Sequence, residues 1–183
     1  MAAILNVDKI RATGSTTDGL TIDSTGRVQM PVLPHVFFQG GKEDNTTVAH
    51  NEHFGSTNAG QAAFKTDGTA MSSIQGGISY NSATGEFTVP VAGVYHIFCQ
   101  VYLNQDGVTA RVGGYINDTQ RFMGHGGYGA DGAGGADNRG THSAEAVIKL
   151  SAGDKSHFEN NSGGERTFYE GVNHHYGYIY LVG

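Results

Sequence analysis

The stretch YNSATGEFTVPVAGVYHIFCQVYL, residues 80–103, decides the fold. It opens on a turn at Asn81 to Gly85, passes through Phe87-Thr88-Val89, turns again at Pro90 to Gly93 and ends in the run Val94 to Leu103. Successive side chains of a strand point to opposite faces. Tyr95, Ile97, Cys99, Val101 and Leu103 therefore share one face, and Val94, His96, Phe98, Gln100 and Tyr102 share the other. Both faces carry large residues. Such a strand is expected to fill a sandwich core with one face and to meet a neighbour with the other.

Working outward toward the C-terminus, Asp106-Gly107 turns the chain into Val108 to Ile116, and Asn117-Asp118 turns it again toward Arg121-Phe122-Met123. Ser143 to Leu150 and Ser156 to Glu159 read as strands. So does Tyr176 to Val182, where Tyr176, Tyr178 and Tyr180 alternate with Gly177, Ile179 and Leu181. That run is apolar enough for the centre of a sheet. Toward the N-terminus, Ser73-Ile74 and Ile78 to Tyr80 look extended. Thr46 to Ala49 and Gln61 to Phe64 are weaker candidates, and Val36-Phe37-Phe38 is the expected first strand of the main domain. No window has a helical period. Short strands separated by turn residues predict an all-β protein, an antiparallel jelly-roll β-sandwich.

Composition agrees. Glycine supplies 29 of 183 residues, about twice the usual share. With three prolines and no collagen period, it marks turns. Eight of those glycines fall in residues 124–140, GHGGYGADGAGGADNRG, which read as a long loop. The single cysteine, Cys99, excludes an intrachain disulfide and a cysteine-based zinc site. No run approaches the length of apolar chain that spans a membrane, and MAAILNVDKIRATGS lacks the pattern of a secretory signal. A net charge of −6 with scattered Lys and Arg argues against nucleic acid as a partner.

Residues 1–30 differ from the rest and read as an N-terminal arm, with residues 31–183 as the main domain behind the boundary Pro31-Val-Leu-Pro34. Leu5, Val7, Ile10, Leu20, Ile22 and Val28 are small apolar anchors among Thr, Ser, Gly and Asp. They suit short strands that find partners on a neighbouring subunit or a larger particle. Asp23 to Gly26 separates Leu20/Ile22 from Val28 as a hairpin turn would.

Chemistry is sparse. His50 and His53 flank Asn51-Glu52, a spacing shorter than the helical zinc motif, in a segment that reads as loop. His174 and His175 are adjacent and on a strand would face opposite sides. His96 reads as a packed, hydrogen-bonded histidine. Asp131, Asp137, Asn138, Asp106 and Asp118 are candidate calcium oxygens, but their spacing fits no calcium loop and they read as solvated turn residues. Glu165 with Glu170, or Glu43 with Asp44, are carboxylates that nothing positions as a glycosidase pair. Cys99 sits inside an apolar strand, as inert thiols do. No catalytic residue, cofactor or metal ligand is assigned, and the chain is not expected to be an enzyme.

Tyr80-Asn81, Thr84-Gly85, Phe87, Pro90, Gly93, Tyr95 and Phe98, in that order, resemble the signature of the globular head of complement component 1q, within the tumour-necrosis-factor-like jelly rolls. Leu150-Ser-Ala-Gly153-Asp154 resembles a corner of that family, and the closing Tyr-x-Tyr-Leu-Val resembles its last strand. The resemblance covers about residues 31–183 and implies a ten-strand jelly roll that forms a compact homotrimer. The aromatics Tyr95, Phe98, Tyr102, Tyr176, Tyr178 and Tyr180 are the expected trimer or packing interface.

Leu5-Asn-Val-Asp-Lys-Ile10 followed by Gly19-Leu-Thr-Ile-Asp-Ser-Thr-Gly-Arg-Val28 is similar to the opening of virion proteins of tailed bacteriophages, cyanophages among them. With a trimeric head, this implies a capsid decoration or cement protein on the virion surface, whose partner is the major capsid protein or another virion protein. The alternative is a tail-fibre tip or host-receptor head, with Tyr128 and His125 holding surface glycan.

Overall fold

The structure, a computed structural model, describes residues 9–10, 20–22, 28–29, 33–40, 45–66, 72–105, 108, 110–125, 140–169 and 174–183. The chain forms two compact units, Met1–Leu33 and Pro34–Gly183. In the first, β1 (Lys9–Ile10), β2 (Leu20–Ile22) and β3 (Val28–Gln29) make a three-stranded antiparallel sheet in the order β1-β2-β3. Ile22 pairs with Val28, as the hairpin reading requires. Within the chain these short strands pair with one another. Sequence neighbours close a sheet at a lower entropy cost than distant chains do. Leu5, Val7 and the turn Asp23 to Gly26 lie outside the described residues.

The second unit contains β4 (His35–Gln39), β5 (Asn45–Val48), β6 (Ser73–Gln75), β7 (Ser79–Asn81), β8 (Glu86–Thr88), β9 (Gly93–Leu103), β10 (Arg111–Ile116), β11 (Thr119–His125), β12 (Gly140–Leu150), β13 (Lys155–Asn160), β14 (Arg166–Tyr169) and β15 (Tyr176–Leu181). Among the described residues there is no helix. All the ladders are antiparallel and form two sheets of a sandwich. The smaller runs β11-β10-β13-β8-β7. The larger runs β5-β14-β9-β15-β4-β6, with β12 on the other side of β9. Among the described residues of this unit, twelve strands stand where the resemblance implies ten. One reason is that the chain beside β9 is broken in two: β14 pairs at Tyr102 and Leu103, and β15 at Tyr95 to Gln100.

The alternation of residues 94–103 is realised. Tyr95, Ile97, Cys99, Val101 and Leu103 are buried, and Val36, Phe38, Phe87, Val112, Phe158, Phe168 and Ile179 meet them from both sheets. β15 is central, flanked by β9 and β4. Gly177 is required there: a Cβ would stand 2.3 Å from both the Phe38 ring and the Phe98 carbonyl oxygen. Gln61 to Phe64 is not a strand. Phe64 is buried, and its N–H donates at 2.9 Å to the Tyr80 hydroxyl, which itself donates to the Gly55 carbonyl at 2.7 Å. β14 has no counterpart among the expected strands. Most of the glycine-rich stretch, residues 126–139, lies outside the described residues.

Candidate functional site

Two places gather functional side chains. The first is the outer face of the larger sheet. Register sets its rows: Tyr178 lies between Phe37 on β4 and Phe98 on β9, and Tyr180 lies between His35 and His96. Because the inward partners of these strands fill the core, the outward ones project from it. Phe98 and Tyr178 stack at 5.1 Å, Phe37 meets Tyr178 at 6.1 Å, and Tyr180 meets Tyr178 at 5.4 Å. Tyr176 joins Phe98 at 5.9 Å, and its hydroxyl donates to Gln100 Oε1 at 3.1 Å. His96 is hydrogen-bonded, as expected, with Nδ1 at 2.8 Å from the Tyr180 hydroxyl and Nε2 at 2.5 Å from Glu145 Oε1 on β12. Phe37 is exposed, and the tyrosines are half-buried. Phe37, Phe38, Gln39, Tyr176, Gly177 and Tyr178 line an apolar cleft on this face.

Of the six aromatics expected at an interface, the structure brings Phe98, Tyr176, Tyr178 and Tyr180 together. Tyr102 stands further along β9, in ring contact with Tyr169 and His174. Tyr95 points the other way. It is fully buried in the core, and its hydroxyl donates to the Val91 carbonyl at 2.9 Å. Its role is packing within the sandwich, set by the parity that places Tyr95 opposite Phe98. Sequence reasoning missed Phe37 and Glu145. The signal for Phe37 was available: it alternates with Val36 and Phe38, both of which read as core.

The second place is a histidine–carboxylate cluster on the outer face of the smaller sheet. Residues 51–54 run alongside β13, with Asn51 N–H on the Asn160 carbonyl, Asn160 N–H on Glu52, and Phe54 N–H on Phe158, all at 2.9–3.1 Å. Phe54 is fully buried and pins this segment. His157 and Glu159, the outward residues of β13, are 0% and 8% exposed, and the His53 ring of this segment lies over His157. Glu159 Oε1 accepts from His157 Nε2 at 3.1 Å and from His53 Nε2 at 3.3 Å. His157 is sandwiched between His53, with rings 3.8 Å apart and 13° from parallel, and Tyr115 at 5.0 Å.

His53 has acceptors at both nitrogens, since Nδ1 also donates to the Thr84 carbonyl at 2.8 Å. Only the doubly protonated ring satisfies both. The bond to Glu159 accordingly raises its pKa against the opposing effect of burial. Burial would raise the Glu159 carboxyl, but hydrogen bonds from His157, His53 and Tyr115 outweigh it and hold it at about 2. Burial also pushes the Cys99 thiol far up, away from reactivity, and pushes His175 down to about 3. Asp118 is exposed in the β10–β11 turn. Asp106, Asp131, Asp137 and Asn138 lie outside the described residues, as do Glu43, Asp44, Glu170 and Tyr128; His125 ends β11, with nothing described of its side chain.

A family model of the C1q domain matches residues 46–178. The chain belongs to the C1q-domain family. Among solved structures, this C1q domain is similar to the Eiger TNF of S. frugiperda at 14% identity and a TM-score of 0.60, covering 83% of this chain and 94% of that one. It is also similar to murine APRIL at pH 5.0, at 9% identity and a TM-score of 0.56, covering 82% of this chain and 100% of that one. At such identities the likeness is one of fold. No curated protein sequence matches the chain.

Proposed function

We propose that this C1q domain is a non-catalytic binding and assembly module that works as a homotrimer, with protomers meeting through the outer face of the larger sheet. The carrying observation is the cluster Phe37, Phe98, Tyr176, Tyr178 and Tyr180, in mutual ring contact outside a sheet whose other face already fills the core. A contiguous aromatic surface of this kind is costly to leave in water and is relieved by a symmetric neighbour. Domains of the C1q and TNF kind commonly form homotrimers and serve in binding, typically without catalysis. Sedimentation of the full chain should give a trimer. Tyr178→Asp, or Tyr180→Asp, should give a folded monomer by circular dichroism and sedimentation together. A trimer that survives both substitutions would move the interface to another surface.

The finer reading places the trimer on a phage capsid as a decoration or cement protein. It rests on the sequence of residues 5–28, and its logic is multivalent contact with the shell. Cryo-electron microscopy of particles tests it. Density at threefold positions of the shell supports cement, whereas density confined to the tail favours the glycan-binding head.

A further inference from the structure

Beside the His53 ring, the two nitrogens of His157 have unequal fates. Nε2 donates to Glu159 Oε1. Nδ1 is buried and has no hydrogen-bond partner. A buried polar atom without a partner is destabilising unless something satisfies it. One step beyond the pairs of β13 with β8, Lys155 with Thr88 and Ser156 with Phe87, the register sets Glu86 opposite His157. From the other side, the β10–β11 turn brings Asp118. Carboxylate oxygens of Glu86 and Asp118 and a nitrogen of His157 lie within 4.8 Å of one another. The two nitrogens of an imidazole open to opposite sides of the ring. With Nε2 committed to Glu159, Nδ1 is the nitrogen that remains for the carboxylates.

We propose that His157 Nδ1, Glu86 and Asp118 form a binding site for a divalent transition-metal ion of the zinc or cobalt type, completed by water. A histidine that ligates a metal usually holds its other N–H on a carboxylate, which fixes the tautomer and the ring. Glu159 does this for His157 and leaves a lone pair on Nδ1. Two carboxylates balance the dication. The imidazole donor favours a borderline ion over calcium or magnesium, which take oxygen. Zinc ligands stand about 2.0–2.2 Å from the ion, so the three groups must draw together. Asp118 is exposed on a turn anchored by Asn117, whose side chain contacts Asp154 at 2.9 Å and the Lys155 N–H at 2.9 Å, and a side-chain rotation brings the carboxylate in. The Lys155 ammonium, 3.1 Å from Glu86 Oε2, is half exposed and is the cation that the metal displaces.

The neighbouring trio His53, His157 and Glu159 also brings three ligand atoms within 4.8 Å. Its two rings are nearly parallel at 3.8 Å, so their in-plane lone pairs run side by side and do not converge on one ion. His53 is also bound at both nitrogens. Within this trio Glu159 alone orients the His157 ring, and His53 is neither a ligand nor the group that fixes the tautomer.

The test is titration of the chelator-stripped full chain with Zn2+, with Co2+ for its electronic spectrum, and with Ca2+. Expected are one Zn2+ per chain, a raised thermal midpoint, and tighter binding of Zn2+ than of Ca2+. Asp118→Asn and Glu86→Gln should each weaken Zn2+ binding by at least about tenfold, a first-coordination loss no smaller than that for outer-shell partners. Asp118→Asn leaves the metal-free midpoint in place, since the residue is exposed, and His53→Gln keeps Zn2+ affinity. Nitrogen-15 spectra should show Nδ1 of His157 shifting with Zn2+ while Nε2 stays protonated. Unchanged Zn2+ affinity in Asp118→Asn, loss of it in His53→Gln alone, or no stoichiometric binding below millimolar Zn2+ would each overturn the proposal.

Discussion

At the scale of single residues, Glu159 is where electrostatics bear most on stability. Its folded pKa of about 2 lies below the ordinary 4.5. A depressed carboxylate contributes stability that is fully present above the unfolded pKa and is lost as pH falls through the folded one. The window is therefore pH 4.5 down to about 2. His53 has the opposite sign. Its pKa is raised from 6.5, so its contribution is present below pH 6.5 and fades as pH climbs through the raised value. Denaturant titrations of wild type and Glu159→Gln at pH 7, 4.5 and 2.5 measure this. Wild type should lose stability across the acid window, and the variant should be weaker at pH 7 but flatter below 4.5. Parallel curves would mean that the carboxylate is not held by its histidines. None of this was legible in the sequence: His53 and Glu159 meet because residues 51–54 add onto β13, and no local pattern announces that pairing.

Among the elements, β9 and β15 were legible and the cover of β13 was not, for one physical reason. A strand buried on one face declares itself by alternation, so Tyr95 to Leu103 and Tyr176 to Leu181 could be read and their inward partners assigned. The same parity separates Tyr95 from Phe98, since positions three apart on a strand lie on opposite faces. Residues 49–60 carry polar side chains with no period, and they are held by hydrogen bonds to distant carbonyls. Asn160 organises that hold. It is fully buried, and its Nδ2 donates to the carbonyls of Val48 at 2.7 Å, Gly164 at 3.0 Å and Ala49 at 3.2 Å, while its Oδ1 accepts from Ser162 N–H at 3.1 Å. Asn160→Ala leaves these groups without their partner, at a cost of about 1–3 kcal/mol per group that stays dry. Hydrogen exchange should quicken at Asn51 and Phe54, whose amides bond to β13, while the amides of β9 and β15 keep their protection. Uniform acceleration across both sheets would instead make Asn160 a general stability residue.

For the whole molecule, the question is what the head needs from the arm. Among the described residues, the buried cluster that holds the sandwich runs from Val36 to Ile179, within the Pro34–Gly183 unit. The smaller unit has its own ladder, β1-β2-β3, of two or three residues per strand. Strands that short have little apolar surface to exclude from water, so most of the free energy of folding belongs to the head. The outer aromatic face lies on β4, β9 and β15, also within the head. A chain restricted to residues 34–183 should therefore unfold cooperatively, with a denaturant midpoint close to that of the full chain and with the trimer intact by sedimentation. The denaturant slope follows the area exposed on unfolding, so it should fall only slightly. If the shortened chain loses its cooperative transition, the head depends on residues 1–33 for its core. If it folds but sediments as a monomer, the arm and not the aromatic face carries the association.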